Sequence, residues 1–160
     1  MQRVLLDADG RVSGLIGVSP VPSTGVPFDE ASEQLFGGAA DIRDNRYAII
    51  DLTTGGRLSR AWLDRMVQFS LDHSDAAAVG AYLRAWAGTD FAAEVQGNPV
   101  PVRVIVGEHD PALGAAVMEE TFLRQHPNAW LEVLPNAGHY AMFETPVALL
   151  TTVERFLDQL

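Results

Sequence analysis

Apolar positions along the chain follow two kinds of pattern. Val12-Ser-Gly-Leu-Ile-Gly-Val18 is a short run, apolar on both faces, with Asp9-Gly10 before it and Ser19-Pro20-Val-Pro22 after it. Such a run between turn residues predicts a strand buried inside a parallel sheet. Val102-Arg-Val-Ile-Val106 reads the same way and runs into Gly107-Glu-His-Asp110-Pro111. From Leu113 to Gln125 the spacing is helical, with Val117, Met118 and Phe122 among the apolar positions, and His126-Pro127-Asn128 ends it. Trp130-Leu-Glu-Val-Leu134 gives a third strand. Strand, helix and strand joined this closely predict that the second and third strands are parallel neighbours.

The last segment has the plainest helical spacing. Thr145 stands as the N-cap and Pro146 at the first helical position, where a missing N–H is not needed. Leu149, Val153, Phe156 and Leu160 then form a stripe that Leu150 and Leu157 widen, a face predicted to lie on the sheet. Between Ser23 and Asn98 only helical pieces are predicted. Asp29 caps a helix through Leu35 and Phe36 that stops at Gly37-Gly38. Leu58, Trp62, Met66 and Phe69 form one stripe, and Val79, Tyr82, Leu83 and Trp86 another, ending at Gly88. Gly55-Gly56 and Gly97-Asn98-Pro99 read as breaks. The predicted organisation is therefore α/β: a core segment over residues 1–22, a helical insert over 23–98 and a second core segment over 99–160. Its parallel sheet has about three strands.

Composition narrows the function. The chain has 160 residues, 48% of them hydrophobic and 20% charged, which suits an ordered globular core. The formal net charge is −10 and all 11 cations are arginines, a balance that argues against nucleic acid and anionic membrane surfaces as partners. No apolar run has the length of a membrane span. Acidic residues interrupt the first apolar stretch and no small-residue cleavage site follows, so no signal peptide is predicted. With no cysteine there is no disulfide framework, thiolate nucleophile or cysteine-based zinc site, and the expected setting is the reducing cytoplasm.

Two motifs carry chemistry. Gly107-Glu108-His109-Asp110-Pro111 and Pro135-Asn136-Ala137-Gly138-His139-Tyr140 each follow a predicted strand directly. In parallel α/β sheets the loops at the carboxyl ends of strands build the ligand crevice. Neighbouring strands would bring Asp110 and His139 to one edge. A carboxylate there fixes the imidazole tautomer and stabilises the imidazolium, and the other ring nitrogen serves as general base. The plainer alternatives are a turn-forming aspartate and a half-buried structural histidine. Asp51 and Asp90, inside the insert, are poorer candidates for the acid. His109 is read as structural or rim, and His73 and His126 as surface residues beside helix ends. No second histidine stands at i, i+4 spacing and no HExxH is present, so no metal site is predicted. Trp62, Phe69 and Trp86 serve plain helix packing as readily as an apolar acyl pocket.

These motifs resemble the α/β-hydrolase family. Its members carry a Gly-x-x-Asp turn after the seventh strand and a Gly-His turn after the eighth; here Gly107-Glu-His-Asp110 and Gly138-His139 match them, 29 residues apart from acid to histidine. Phe143-Glu144-Thr-Pro146 is similar to the family's usual lead into its final helix. The resemblance covers essentially the whole chain, with Val12–Val18 as the sixth strand and the helical insert as the lid. It implies a partial hydrolase fold, Asp110 and His139 as the triad's acid and base, no cofactor and no metal, and an esterase-like attack on an apolar acyl substrate. The family's nucleophile sits in a Gly-x-Ser-x-Gly elbow, which this sequence lacks; Gly17-Val-Ser19-Pro-Val is the nearest imitation. The chain is expected to begin just after that serine, and so to be inactive by itself. Met1–Asp7 is expected to be the end of the helix that follows the elbow. Two other readings remain open. One is a non-catalytic truncated or split product that binds a ligand, itself or a complementing N-terminal chain through the Val12–Val18 edge; the other is a dehalogenase or epoxide-hydrolase relative with an aspartate nucleophile.

Overall fold

The computed structural model describes every residue except Asp9, so that half of the Asp9-Gly10 turn signal lies outside the described residues. The elements in chain order are α1 (Gln2–Asp7), β1 (Leu15–Val18), α2 (Glu30–Gly37), α3 (Arg43–Thr53), α4 (Arg60–Asp72), α5 (Ala76–Gly88), α6 (Ala92–Val95), β2 (Val102–Gly107), α7 (Ala115–Glu120), α8 (Phe122–Gln125), β3 (Ala129–Leu134), α9 (Ala141–Glu144) and α10 (Pro146–Leu157). They divide into two compact units, Met1–Thr24 with Asp90–Leu160, and Gly25–Thr89. Residues 90–98, read from the sequence as part of the insert, thus belong to the first unit. No described helix is long and apolar enough to cross a membrane.

The first unit is an α/β structure on a three-stranded parallel sheet of order β1-β2-β3. Leu15 to Val18 pair with Val102 to Ile105, and Val102 to Gly107 pair with Ala129 to Leu134. The central strand is apolar on both faces because both are covered. Val102, Val104 and Val106 pack with Leu113, Met118 and Phe122 on one side. Ile105 packs with Leu134, Ala137 and Ala141 on the other, joined by Leu149 and Val153 of α10. Arg103 interrupts the run; it pairs with the Glu132 carboxylate of β3 at 3.7 Å and packs on two aromatic rings. Its guanidinium lies 5.8 Å from the Trp130 ring centre and 5.5 Å from that of Phe156, a cation–π arrangement.

β1 is shorter than the Val12–Val18 run. The Leu15 N–H donates to the Pro101 carbonyl at 2.9 Å. Beyond that point the facing chain carries Pro99 and Pro101, which have no N–H to extend the ladder. The helix expected over Leu113–Gln125 is instead two pieces. Ala112 and Leu113 donate their N–H groups to the Asp110 carboxylate at 2.9 and 3.0 Å, so the chain leaves β2 in a side-chain-capped turn before α7 can start. At the other end Thr121 leaves helical geometry and its hydroxyl bonds the Val117 carbonyl at 2.6 Å. α10 matches its pattern only in part: Phe156 is buried and Leu149 and Val153 half-buried, but Thr152 joins them, while Leu150, Leu157 and Leu160 are more than half exposed. The buried line is narrower than the stripe.

The second unit is helical, with no strand among its described residues. Asp29 caps α2 by accepting from the Ser32 N–H at 2.8 Å. α3 escapes the sequence pattern because it opens on Arg43-Asp-Asn-Arg46. Arg46 is nonetheless buried, and its guanidinium bonds the Ala39 carbonyl and the Ser70 and Ser74 hydroxyls, joining α3 to α4 and to a 3₁₀ turn over Gly38–Ala40. On α4 the buried residues are Leu63, Met66 and Val67 rather than the whole Leu58-Trp62-Met66-Phe69 stripe. On α5, Tyr82 is exposed rather than part of a buried stripe.

His126, expected at the surface, is 1% exposed. The Gln2 amide nitrogen of α1 lies 3.1 Å from its Nε2, and the Phe122 ring stacks on it at 6.0 Å. Burial holds its pKa below the ordinary 6.5, against a smaller opposite pull from the Asn98 backbone. A histidine depressed in this way contributes stability that is present above its unfolded value and is lost as the pH falls below it. Urea unfolding of the wild type is therefore expected to show stability falling as the pH is lowered through and below the ordinary 6.5. His126→Gln should flatten that dependence. An unchanged profile in the variant would show that the ring is not the titrating group.

Candidate active site

Strand register decides where the chemistry meets. Because Gly107 pairs with Leu134, β2 and β3 end level, and the loops that follow them leave the same edge of the sheet. The backbones then join. The Glu108 N–H donates to the Leu134 carbonyl at 3.0 Å and the His109 N–H to the Ala137 carbonyl at 2.8 Å. The Glu108 carboxylate accepts from the Asn136 N–H at 3.1 Å. Gly107 permits this approach: a Cβ there would overlap the carbonyl oxygens of Ala137 and Gly138.

The result brings the two residues singled out from the sequence together. His139 Nδ1 lies 2.7 Å from Asp110 Oδ2. The Asp110 side chain is fully buried, and the His139 side chain is 29% exposed. Asp110 Oδ1 takes the Ala112 and Leu113 N–H groups, so each carboxylate oxygen has a donor. Burial by itself pushes the Asp110 carboxyl up; the hydrogen bond from His139, its charge and the two peptide N–H donors outweigh that, and the pKa lies below the ordinary carboxylate range. The acid is thus ionised at neutral pH and bonded to one imidazole nitrogen. The Tyr140 ring packs edge-on against the imidazole at 5.2 Å. The described residues place no hydrogen-bond partner on His139 Nε2.

Behind the histidine, Glu144 accepts from the N–H groups of Gly138 and Tyr140 at 2.8 and 3.0 Å. His109 is on the rim, with Nε2 3.6 Å from the neighbouring Glu108 carboxylate. Asp90 accepts from the Ala92 N–H at 3.0 Å, just before α6, and takes no part in the pair. Ser19 follows β1 at the same sheet edge with a left-handed φ of 42°. Its hydroxyl is buried and has no hydrogen-bond partner among the described residues, so it offers no accessible nucleophile. In the second unit, Trp86 packs against the rings of Phe28 and Phe36 at 5.5 and 6.1 Å, Phe69 stacks on His73 at 4.3 Å, and Trp62 is half-buried on α4. No cluster of three or more metal-ligating side chains occurs among the described residues. Sequence reasoning missed the two N–H donors to Asp110 and the role of Glu108; the Asp-Pro-Ala-Leu spacing of a side-chain-capped turn was the available signal for the first.

Comparison with known proteins follows the same lines. Over 87 residues the chain is 33% identical to a 2-succinyl-6-hydroxy-2,4-cyclohexadiene-1-carboxylate synthase from Enterobacter sp. (strain 638), covering 52% of this chain and 31% of that protein. Among solved structures it is similar to a thermophilic esterase, with TM-score 0.76 and 20% identity over 99% of this chain and 61% of the other. It is also similar to the carboxylesterase CesB from Bacillus subtilis, with TM-score 0.68 and 22% identity over 98% and 55%. The chain therefore spans about a third of the curated relative and roughly three fifths of these structures. The profile of the alpha/beta hydrolase family matches residues 1–152, and with the parallel sheet and its level loops this makes the chain a member of the α/β-hydrolase family.

Proposed function

We propose that Asp110 and His139 are the acid and base of an acyl-transfer site that hydrolyses an ester or similar acyl substrate. The observation that carries the reading is the 2.7 Å bond between His139 Nδ1 and the fully buried, ionised Asp110. With Nδ1–H held there, Nε2 has the lone pair. It takes the proton of an attacking hydroxyl, passes it to the leaving group, and repeats both steps with water. Asp110 keeps its negative charge throughout and stabilises the imidazolium between the two transfers. The sequence contains no Gly-x-Ser-x-Gly elbow, so this reading takes the hydroxyl from outside these 160 residues.

The 160-residue chain is accordingly expected to hydrolyse p-nitrophenyl esters no faster than buffer. Mapping the transcript upstream of Met1 tests the reading directly. A frame that reaches a Gly-x-Ser-x-Gly motif should yield an esterase whose kcat falls by roughly 10³–10⁴-fold with Asp110→Asn or His139→Ala. An extended, folded protein that keeps its turnover without His139 would sink the assignment.

The buried acid also has a stability signature. Its folded pKa lies below the ordinary 3.8, so its contribution is present above that value and is lost as the pH falls through the folded one. Asp110→Asn should remove that acid-dependent part of the unfolding free energy below about pH 4. A variant that tracks the wild type through this range would contradict the environment described for the carboxylate.

One observation favours a second reading, association through β1. Odd-numbered residues of β1 bond to β2, as in Leu15 N–H to Pro101 and Ser19 N–H to Ile105, so Ile16 and Val18 turn their backbone groups to the outer edge of the sheet. An open edge of this kind pairs readily with a second copy. Sedimentation should reveal concentration-dependent self-association that Ile16→Pro suppresses, since that N–H makes no bond to β2. A single monomeric species at every concentration rejects this reading.

A further inference from the structure

The backbone on either side of His139 is held by one carboxylate. The Gly138 N–H donates to Glu144 Oε2 and the Tyr140 N–H to Glu144 Oε1. Tyr140 is the N-cap of α9, so the second bond resembles a capping interaction, in which an acidic side chain in the first turn reaches back to the cap N–H. The first bond goes further. It reaches two residues upstream of the cap, past the histidine, and so brackets it.

We propose that Glu144 is a positioning residue for His139: by clamping the two peptide N–H groups that flank the histidine, it holds the imidazole on Asp110. The proposal rests on the acid–base reading given above. Its force comes from how the rest of the loop is held. Upstream, the chain is fixed by the Ala137 carbonyl under the His109 N–H, by the Asn136 N–H on Glu108, and by the close seat on Gly107. Asn136 completes the turn with a left-handed φ of 59°. Those contacts stop one residue short of His139. Downstream, α9 is four residues long, and its first residue, Ala141, is buried against Ile105. Glu144 supplies the constraint between the two, and it does so with both oxygens, one for each peptide unit.

A carboxylate is needed for this geometry. Glutamine has the same length but one acceptor oxygen, and its amide group would face one of the two N–H donors. Aspartate keeps the charge but is one methylene shorter and reaches only one of them. Glu144→Gln therefore tests the clamp with little change in volume.

The readout is the proton shared between His139 Nδ1 and Asp110, observed by NMR in the 160-residue chain, so no nucleophile is required. The wild type is expected to show a far-downfield imidazole proton that Asp110→Asn abolishes, which assigns it. Glu144→Gln should broaden that resonance beyond detection at the same pH and temperature, while the backbone amide spectrum outside residues 136–145 stays in place. Glu144→Asp should broaden it less, and this milder variant carries the test if the glutamine form does not fold. A resonance unchanged in both folded variants overturns the proposal and leaves the acid–base reading intact. A wild type without the Asp110-dependent resonance overturns both.

Discussion

Pairing Gly107 of β2 with Leu134 of β3 is the constraint on which the remainder of the site depends. Parallel neighbours that end level send their following loops out of one edge, and this brings a carboxylate and an imidazole 29 residues apart into hydrogen-bond contact. The pairing has its own requirement at the strand end. The histidine loop folds back so closely that Ala137 and Gly138 lie against the Gly107 Cα, where any side chain would displace them. Fold and site therefore share an atom-level condition.

The same edge shows how a buried charge is tolerated. A carboxylate with no exposed side-chain surface would ordinarily protonate or unfold its surroundings. Asp110 does neither, since two peptide N–H groups and one imidazole meet its oxygens. One of those N–H groups, that of Leu113, is taken from a residue that the sequence pattern assigns to the next helix. α7 consequently begins at Ala115, after Gly114, whose Cβ would overlap the Asp110 carbonyl oxygen. The later helix start and the retention of the ion are two aspects of one arrangement.

How much of this was legible beforehand follows from the range of each interaction. Strand type, parallel order and the acid–histidine edge could be read from the sequence, because Val102–Val106 and Trp130–Leu134 are short, mostly apolar runs, each broken by one charged residue, with their turn motifs attached. The burial of His126 could not. It depends on Gln2, 124 residues away, and a His-Pro step after a helical run looks locally like any helix stop. α3 was hidden for a related reason: Arg46 is polar by type but buried by virtue of partners on α4 and the 3₁₀ turn. In α10 the period was right and the width wrong. Which leucines beside the central line are covered depends on what lies across from the helix, and an amphipathic stripe does not encode that.

Held charge and held backbone finally lead to the same question about catalysis. An imidazole on a loop gains its value as a base from a fixed orientation, since a displacement of about 1 Å at a reacting group costs on the order of 10²-fold in rate. Here orientation is supplied at three levels. Asp110 fixes the ring, the Gly107 seat and the β2 loop fix the chain before it, and Glu144 fixes the peptides on both sides. All three belong to residues 107–144 and to a single compact unit. The carboxylate, the imidazole and the groups that hold them are thus all assembled within this chain. Such an arrangement holds the imidazole of His139 in an orientation that can be measured apart from any turnover.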